Sequence, residues 1–218
     1  ARAANDLRAA YGTGAERQLR TRQFVAATTS WSSPLRTPPA RDSVRWVEAA
    51  ASPAQNGEEL IASLGYTGSG TVLDVLRWDG VAWQRDCRET TVPSATERGF
   101  ALAYEQTSAD ALLVFTDGTA NPRFRARTAG TWTSSSAVFG SPPGGSAVLW
   151  VVLVPKPGSD EIAFVYADSA FDLHAVIWNG SAWNAGSTTK LTKNLAAVSA
   201  RRCFDASYES TSGDLLVA

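Results

Sequence analysis

The chain has 218 residues, 19% of them charged, and a formal net charge of −1, which is long enough to bury a sizeable core in one domain. Twenty Lys and Arg against 21 Asp and Glu leave no basic surplus for a nucleic-acid backbone, so no nucleic-acid partner is expected. Apolar stretches such as Ala147 to Val154 are far shorter than the roughly 20 residues of a membrane helix, so no membrane insertion of this segment is expected.

Methionine is absent and residue 1 is Ala, which reads as a chain whose leader was removed or as part of a longer one. Lys is scarce, Ser, Thr, Gly and Ala are plentiful, and there are eight Trp. That mixture resembles bacterial extracellular proteins and suggests a place outside the cell or on its surface. Two cysteines, Cys87 and Cys203, do not make a disulfide framework. They can pair with each other, pair between chains, or stay free as small buried hydrophobes, the reading that best fits the usual burial of free Cys.

In chain order, Ala1 to Ala10 is rich in Ala, Arg and Leu and has helix propensity. Its alignment with later segments argues for a strand instead. Asp6-Leu7, Glu59-Leu60, Ala111-Leu112, Glu161-Ile162 and Asp214-Leu215 recur with their second residues 53, 52, 50 and 53 apart. The first four are followed 20 to 24 residues later by Trp31, Trp83, Trp132 and Trp183. A beat of about fifty residues is the length of a four-stranded propeller blade.

A longer period lies over the first. Arg98 to Ser108 matches Arg202 to Ser212 at an offset of 104, as Trp46 matches Trp150 and Pro53 matches Pro157. The second and fourth units share Trp78-Asp79-Gly80-Val81-Ala82-Trp83 and Trp178-Asn179-Gly180-Ser181-Ala182-Trp183. The first and third share Leu19-Arg20-Thr21-Arg22 and Phe124-Arg125-Ala126-Arg127. The expected fold is therefore all-β and β-propeller-like. It has about four blades of about fifty residues, arranged as two longer repeats of about 104, in one repeat domain spanning 1–218. The units run approximately 5–57, 58–109, 110–159 and 160–212, with a fifth starting at 213–218.

Within the fourth unit, Ile162, Phe164 and Tyr166 fall on one strand face and Ala163 and Val165 on the other. A strand apolar on both faces must be covered on both, as when sheets stack radially. Leu173 to Trp178 and Ser181 to Trp183 follow, joined by Asn-Gly, a pair suited to a type I′ hairpin with two residues at positive φ. A fourth strand is expected at Cys203 to Tyr208. Proline is confined to loops and strand ends, where a missing N–H is harmless. The chain starts at the second strand of one unit and stops at the second strand of another. Leu7 and Tyr11 at one end and Leu215 and Leu216 at the other are thus candidates for strand pairing between copies of the chain.

The Trp-Asp/Asn-Gly-x-x-Trp hairpins and the fifty-residue beat resemble the repeats of lectin-type β-propellers, fucose-binding ones especially. The resemblance covers nearly the whole chain. It implies a sugar held between adjacent blades by an Arg, a Glu and stacking aromatics. Carried onto this sequence, Arg20 and Arg125 would supply the guanidinium, and Trp78, Trp83, Trp178 and Trp183 the rings. The positions equivalent to the arginines in the other units are Asp74 and His174, so the ligand set is not repeated blade by blade.

No catalytic residues are assigned, and no cofactor or metal is expected. His174 is the only histidine, and no nucleophile elbow accompanies it. One His and two isolated Cys do not make a zinc site. Glu58-Glu59, Asp160-Glu161 and Asp168 with Asp172 read as strand-end charge rather than as a glycosidase pair or a calcium loop. The period-two stripes Arg20/Arg22 and Arg123/Arg125/Arg127 read as charged outer strands that discourage edge pairing. The function expected from the residues is a non-enzymatic extracellular structural or interaction module, self-assembling with other copies or with surface polymers. The alternative is a glycan-binding lectin with sites between blades.

Overall fold

A computed structural model describes residues 7–13, 17–39, 43–54, 57–67, 70–92, 96–138, 145–195 and 201–218. Among them every helix or strand element is β except a single 3-10 turn at Ala26–Thr28, so the chain is all-β. No described helix is long and apolar enough to cross a membrane. The chain divides into two compact units, Ala1–Thr91 and Val92–Ala218.

Unit one holds two sheets. The first is β1 (Leu7–Gly12), β2 (Leu19–Val25) and β3 (Ser30–Trp31), with β4 (Leu35–Arg36) also on β2. The second is an antiparallel meander of β5 (Ser43–Ala51), β6 (Glu59–Thr67), β7 (Gly70–Trp78) and β8 (Trp83–Glu89). Unit two repeats the plan. Its first sheet is β9 (Phe100–Tyr104), β10 (Ala111–Phe115), β11 (Arg123–Thr128) and β12 (Thr131–Trp132), with β13 (Ser136–Ala137) also on β11. Its second is β14 (Val148–Pro155), β15 (Ile162–Asp168), β16 (Leu173–Trp178) and β17 (Trp183–Thr192). A hairpin of β18 (Ala206–Tyr208) and β19 (Leu215–Val217) follows. None of these sheets closes on itself among the described residues.

The central strands are buried on both faces, as their sequence demands. Every described side chain of β15 and β10 is buried. In unit two the two sheets face each other through Leu112, Val114, Ala101 and Ala103 on one side and Ile162, Phe164, Tyr166 and Leu153 on the other. In unit one, among the described residues, the corresponding cluster is Leu19, Ile61, Leu76 and Trp83, with Ala10, Val44, Val47 and Trp78 packed around them.

Three sequence expectations change, and one stands where it is described. The strand read as the fourth of the last full unit, Cys203 to Tyr208, instead opens a new sheet, because β18 pairs with β19. The Ala1 to Ala10 segment is strand from Leu7, as its alignment with later segments predicts; its first six residues lie outside the described ones. At Asp79-Gly80 and Asn179-Gly180 only the glycines have positive φ, +99° and +91°. The hairpins are therefore four-residue loops and not type I′ turns. Asp79 Oδ1 accepts the Val81 and Ala82 N–H groups at 2.9 and 2.8 Å, and Asn179 Oδ1 accepts those of Ser181 and Ala182 at 3.0 and 2.9 Å. The side chain thus supplies the turn bonds that a second left-handed residue would otherwise be needed for.

The third change is the alignment of the units. Ala51 pairs with Glu59, Tyr104 with Ala111, Pro155 with Ile162 and Tyr208 with Leu215. Glu59, Ala111, Ile162 and Leu215 are therefore equivalent, and Leu7 joins them through its pairing with Phe24 and Trp31. The residue that recurs before each is an acid: Asp6, Glu58, Asp110, Glu161 and Asp214. Matching Leu7 and Ile162 with Leu60 and Leu112 was off by one, and in a strand one residue exchanges the faces. The arginine stripes were off by two. Phe24 opposite Trp31 corresponds to Arg127 opposite Trp132, so Arg20 matches Arg123 and Arg22 matches Arg125.

Candidate ligand-binding cleft

On β1, Arg8 and Ala10 share one face, opposite Gln23 and Thr21 of β2. On β6, Glu59 and Ile61 share one face, beside Ala51 and Ala49 of β5 and Trp78 and Leu76 of β7. These two faces meet inside unit one. Arg8 Nε donates to Glu59 Oε2 at 2.8 Å, with the side chains only 12% and 9% exposed. The guanidinium carbon lies 4.2 Å from the centre of the Trp78 ring. Trp83 is 5.5 Å from Trp78, centre to centre, and donates its indole N–H to Thr21 Oγ1 at 2.9 Å. Beside the ion pair opens a cleft of about 170 Å³, lined by Ala10, Ala49, Ala50 and Ala51 together with Leu7, Leu60 and Ile61.

Unit two has the same pair of faces, and among the described residues larger apolar side chains fill the space between them. Strand registers place Leu112 where Arg8 stands and Ile162 where Glu59 stands. Val114 replaces Ala10, Leu153 replaces Ala49, Phe164 replaces Ile61 and Phe124 replaces Thr21. All these larger side chains belong to one apolar cluster. Unit one thus has the same sheet-to-sheet contact with its core side chains cut back, two of them to alanine, and an ion pair set at the rim. Replacing a buried ion pair by apolar groups is often neutral or stabilising, and unit two shows that this interface accepts the apolar pair. Packing alone therefore gives no reason for Arg8 and Glu59.

The residues singled out from sequence divide accordingly. Trp78 and Trp83 border the Arg8 side chain. Trp178 and Trp183 sit in the apolar contact of unit two, where Phe124 lies 5.7 Å from each. Trp178 donates its N–H to Glu105 Oε1 at 2.7 Å, whereas Trp183 Nε1 is buried with no hydrogen-bond partner. The swap of Thr21 for Phe124 explains the difference, since a ring edge-on to Trp183 replaces the hydroxyl. Arg20 pairs across the strand with Tyr11, on the sheet face opposite Arg8. Arg125 lies on the face of β11 away from Phe124 and donates to the Thr133 carbonyl at 2.7 Å. Leu7 and Leu216 are 59% and 67% exposed, and Tyr11 and Leu215 half-buried. Cys87 is a free buried thiol and Cys203 a free exposed one.

Arg8 was missed because the alignment slip set Leu7 and Leu60, on opposite faces, as equals, and Glu59, read from sequence as strand-end charge, is instead buried against it. In the corrected frame they stand out. Position 8 is Leu60, Leu112, Ala163 and Leu216 in the other units, and position 59 is Leu7, Ala111, Ile162 and Leu215.

A buried polar cluster also lies in unit two. His174 stacks on Tyr166 at 4.9 Å, and its Nε2 lies 3.1 Å from Asp168 Oδ2. Ligand-type atoms of Asp168, Asp172 and His174 lie within 4.8 Å of one another. The ammonium of Lys190 is bonded to Asp172 and holds that carboxyl below its usual range. Asp168 Oδ1 accepts the Ala170 and Asp172 N–H groups. The cluster carries its own cation and caps its own turn, which is a structural role.

Neither a family model nor a curated protein matches this chain. Solved structures do. The fungal lectin of Aleuria aurantia, described as a six-bladed β-propeller with a novel fucose recognition mode, superposes with a TM-score of 0.57 at 13% identity, over 88% of this chain and 59% of that one. The lectin BP39L of Burkholderia pseudomallei gives 0.62 at 14%, over 86% and 52%. The lectin SapL1, solved with α-methyl fucoside, gives 0.61 at 15%, over 98% and 68%. The chain spans little more than half the length of the first two. At these identities the likeness is one of fold, and it is to β-propellers.

Proposed function

We propose that this chain is a non-enzymatic glycan-binding module acting outside the cell, and that Arg8 and Glu59 form its sugar-reading pair. The observation that carries this reading is the replacement of the apolar Leu112–Ile162 contact of unit two by the Arg8–Glu59 pair of unit one, beside a cleft that its twin fills. A carboxylate accepts and a guanidinium donates, which suits adjacent hydroxyls of a sugar, while the apolar lining of the cleft offers a surface to its C–H face. A module of this kind needs no cofactor. The fold neighbours, lectins of which some bind fucose, support this reading over a self-assembling building block.

Titration calorimetry with methyl α-L-fucoside, followed by a glycan array, tests it. We expect one site for residues 1–218, since only position 8 carries the Arg and only position 59 the Glu. Arg8→Leu and Glu59→Ile, which install the residues of unit two, should each abolish binding. Absence of binding to every glycan, or binding indifferent to both substitutions, overturns the proposal.

A further inference from the structure

We infer that Trp78 is a positioning residue for Arg8 and not a platform on which the sugar stacks. The inference rests on the glycan reading of the cleft. One face of the Trp78 indole is already occupied: the Arg8 guanidinium carbon lies 4.2 Å from its ring centre, a distance at which a cation is attracted to the ring. Held there, Arg8 turns Nε to Glu59 Oε2 at 2.8 Å. Gln23 Oε1, 3.4 Å from Arg8 Nη2, restrains the other arm of the fork.

Trp78 is itself braced. Trp83 packs against it at 5.5 Å with a 55° tilt, and the Trp83 N–H is tied to Thr21 Oγ1. A guanidinium on an unbranched stem loses much rotamer entropy when a ligand immobilises it. An aromatic shelf that fixes it beforehand removes that cost from binding. Unit two shows the contrast. Trp178, at the same position, is covered by Phe124 at 5.7 Å and spends its N–H on Glu105. One Trp at one position thus serves as core in unit two and as a shelf for a cation in unit one.

Three measurements on the full chain test this. Trp78→Leu should weaken methyl α-L-fucoside binding about 5- to 30-fold, while Trp78→Phe, which keeps an aromatic face, should stay within about 3-fold of wild type. In urea unfolding, Arg8→Met and Trp78→Leu should be coupled, the second costing less once the first is made. The sugar-induced ultraviolet difference signal should be the same in wild type and Trp78→Phe. Should Trp78→Leu fail to fold, the Phe variant and its difference signal carry the test alone. Full affinity in Trp78→Leu, or loss of the sugar-induced signal in Trp78→Phe, overturns the positioning role and leaves the glycan reading intact. A wild type that binds no sugar overturns both.

Discussion

Arg8 and Glu59, 51 residues apart in sequence, form a largely buried ion pair at the meeting of two sheets, and each is polar where its equivalents in the other units are apolar. The pair sits beside the one interface of the two compared that alanines line. Burial makes it sensitive to single substitutions and tolerant of paired ones.

Removing one partner leaves the other charge buried and alone, at roughly 3–5 kcal/mol. We expect Arg8→Leu and Glu59→Ile to lower the urea unfolding free energy by about that amount each. The double substitution, which recreates the contact of unit two, should restore wild-type stability or exceed it while still binding no sugar. A double variant as unstable as the sum of the singles would show that the pair is needed for folding and not for ligand.

Thr21 is buried and supplies the acceptor for the indole N–H of Trp83. Thr21→Val keeps the shape and removes that acceptor, leaving a buried donor unmet at about 1–3 kcal/mol. Thr21→Ser should cost less, since the hydroxyl remains. Equilibrium unfolding of the two variants side by side checks this ranking.

Glu105 is buried, and desolvation holds its carboxyl above the usual 4.5 despite hydrogen bonds from Ser108 and Trp178 that favour its charge. A carboxyl raised on folding contributes stability that is present below the unfolded value of 4.5 and is lost as pH rises through the folded value. Glu105→Gln keeps an acceptor for Trp178 and removes the titration. We expect wild type, measured against this variant by unfolding, to be relatively most stable near pH 4 and to lose ground by pH 7. A constant difference across that range refutes the assignment.

A Cβ built on Gly99 would meet Thr116 Cγ2 at 2.2 Å, and Thr116 is buried with its N–H bonded to the Gly99 carbonyl at 2.8 Å. Gly99→Ala should therefore overpack the start of unit two by about 1–3 kcal/mol. Thr116→Ser removes the obstructing methyl, so the double variant should recover most of the loss. Thermal unfolding of the four proteins completes the cycle.

The sequence by itself determined the β architecture and the beat of about fifty residues, because these are written locally. Alternation on β15 shows two buried faces, and Trp78-Asp79-Gly80 with its copy at Trp178 marks the hairpins. Leucine or isoleucine recurs from Leu7 to Leu215 at steps of 53, 52, 50 and 53 residues. What only the tertiary structure decided was which residues are equivalent and which faces meet. An arginine stripe of period two looks the same after a slip of two, so Arg20 was matched to Arg125 when strand pairing gives Arg123. A slip of one between Leu7 and Leu60 joined opposite faces and hid Arg8. Neither error is visible along the chain, since a strand's face acquires meaning only from the sheet stacked on it. The Arg8–Glu59 cleft exists because two sheets approach with alanine between them, and their contact is set by packing across half a hundred residues.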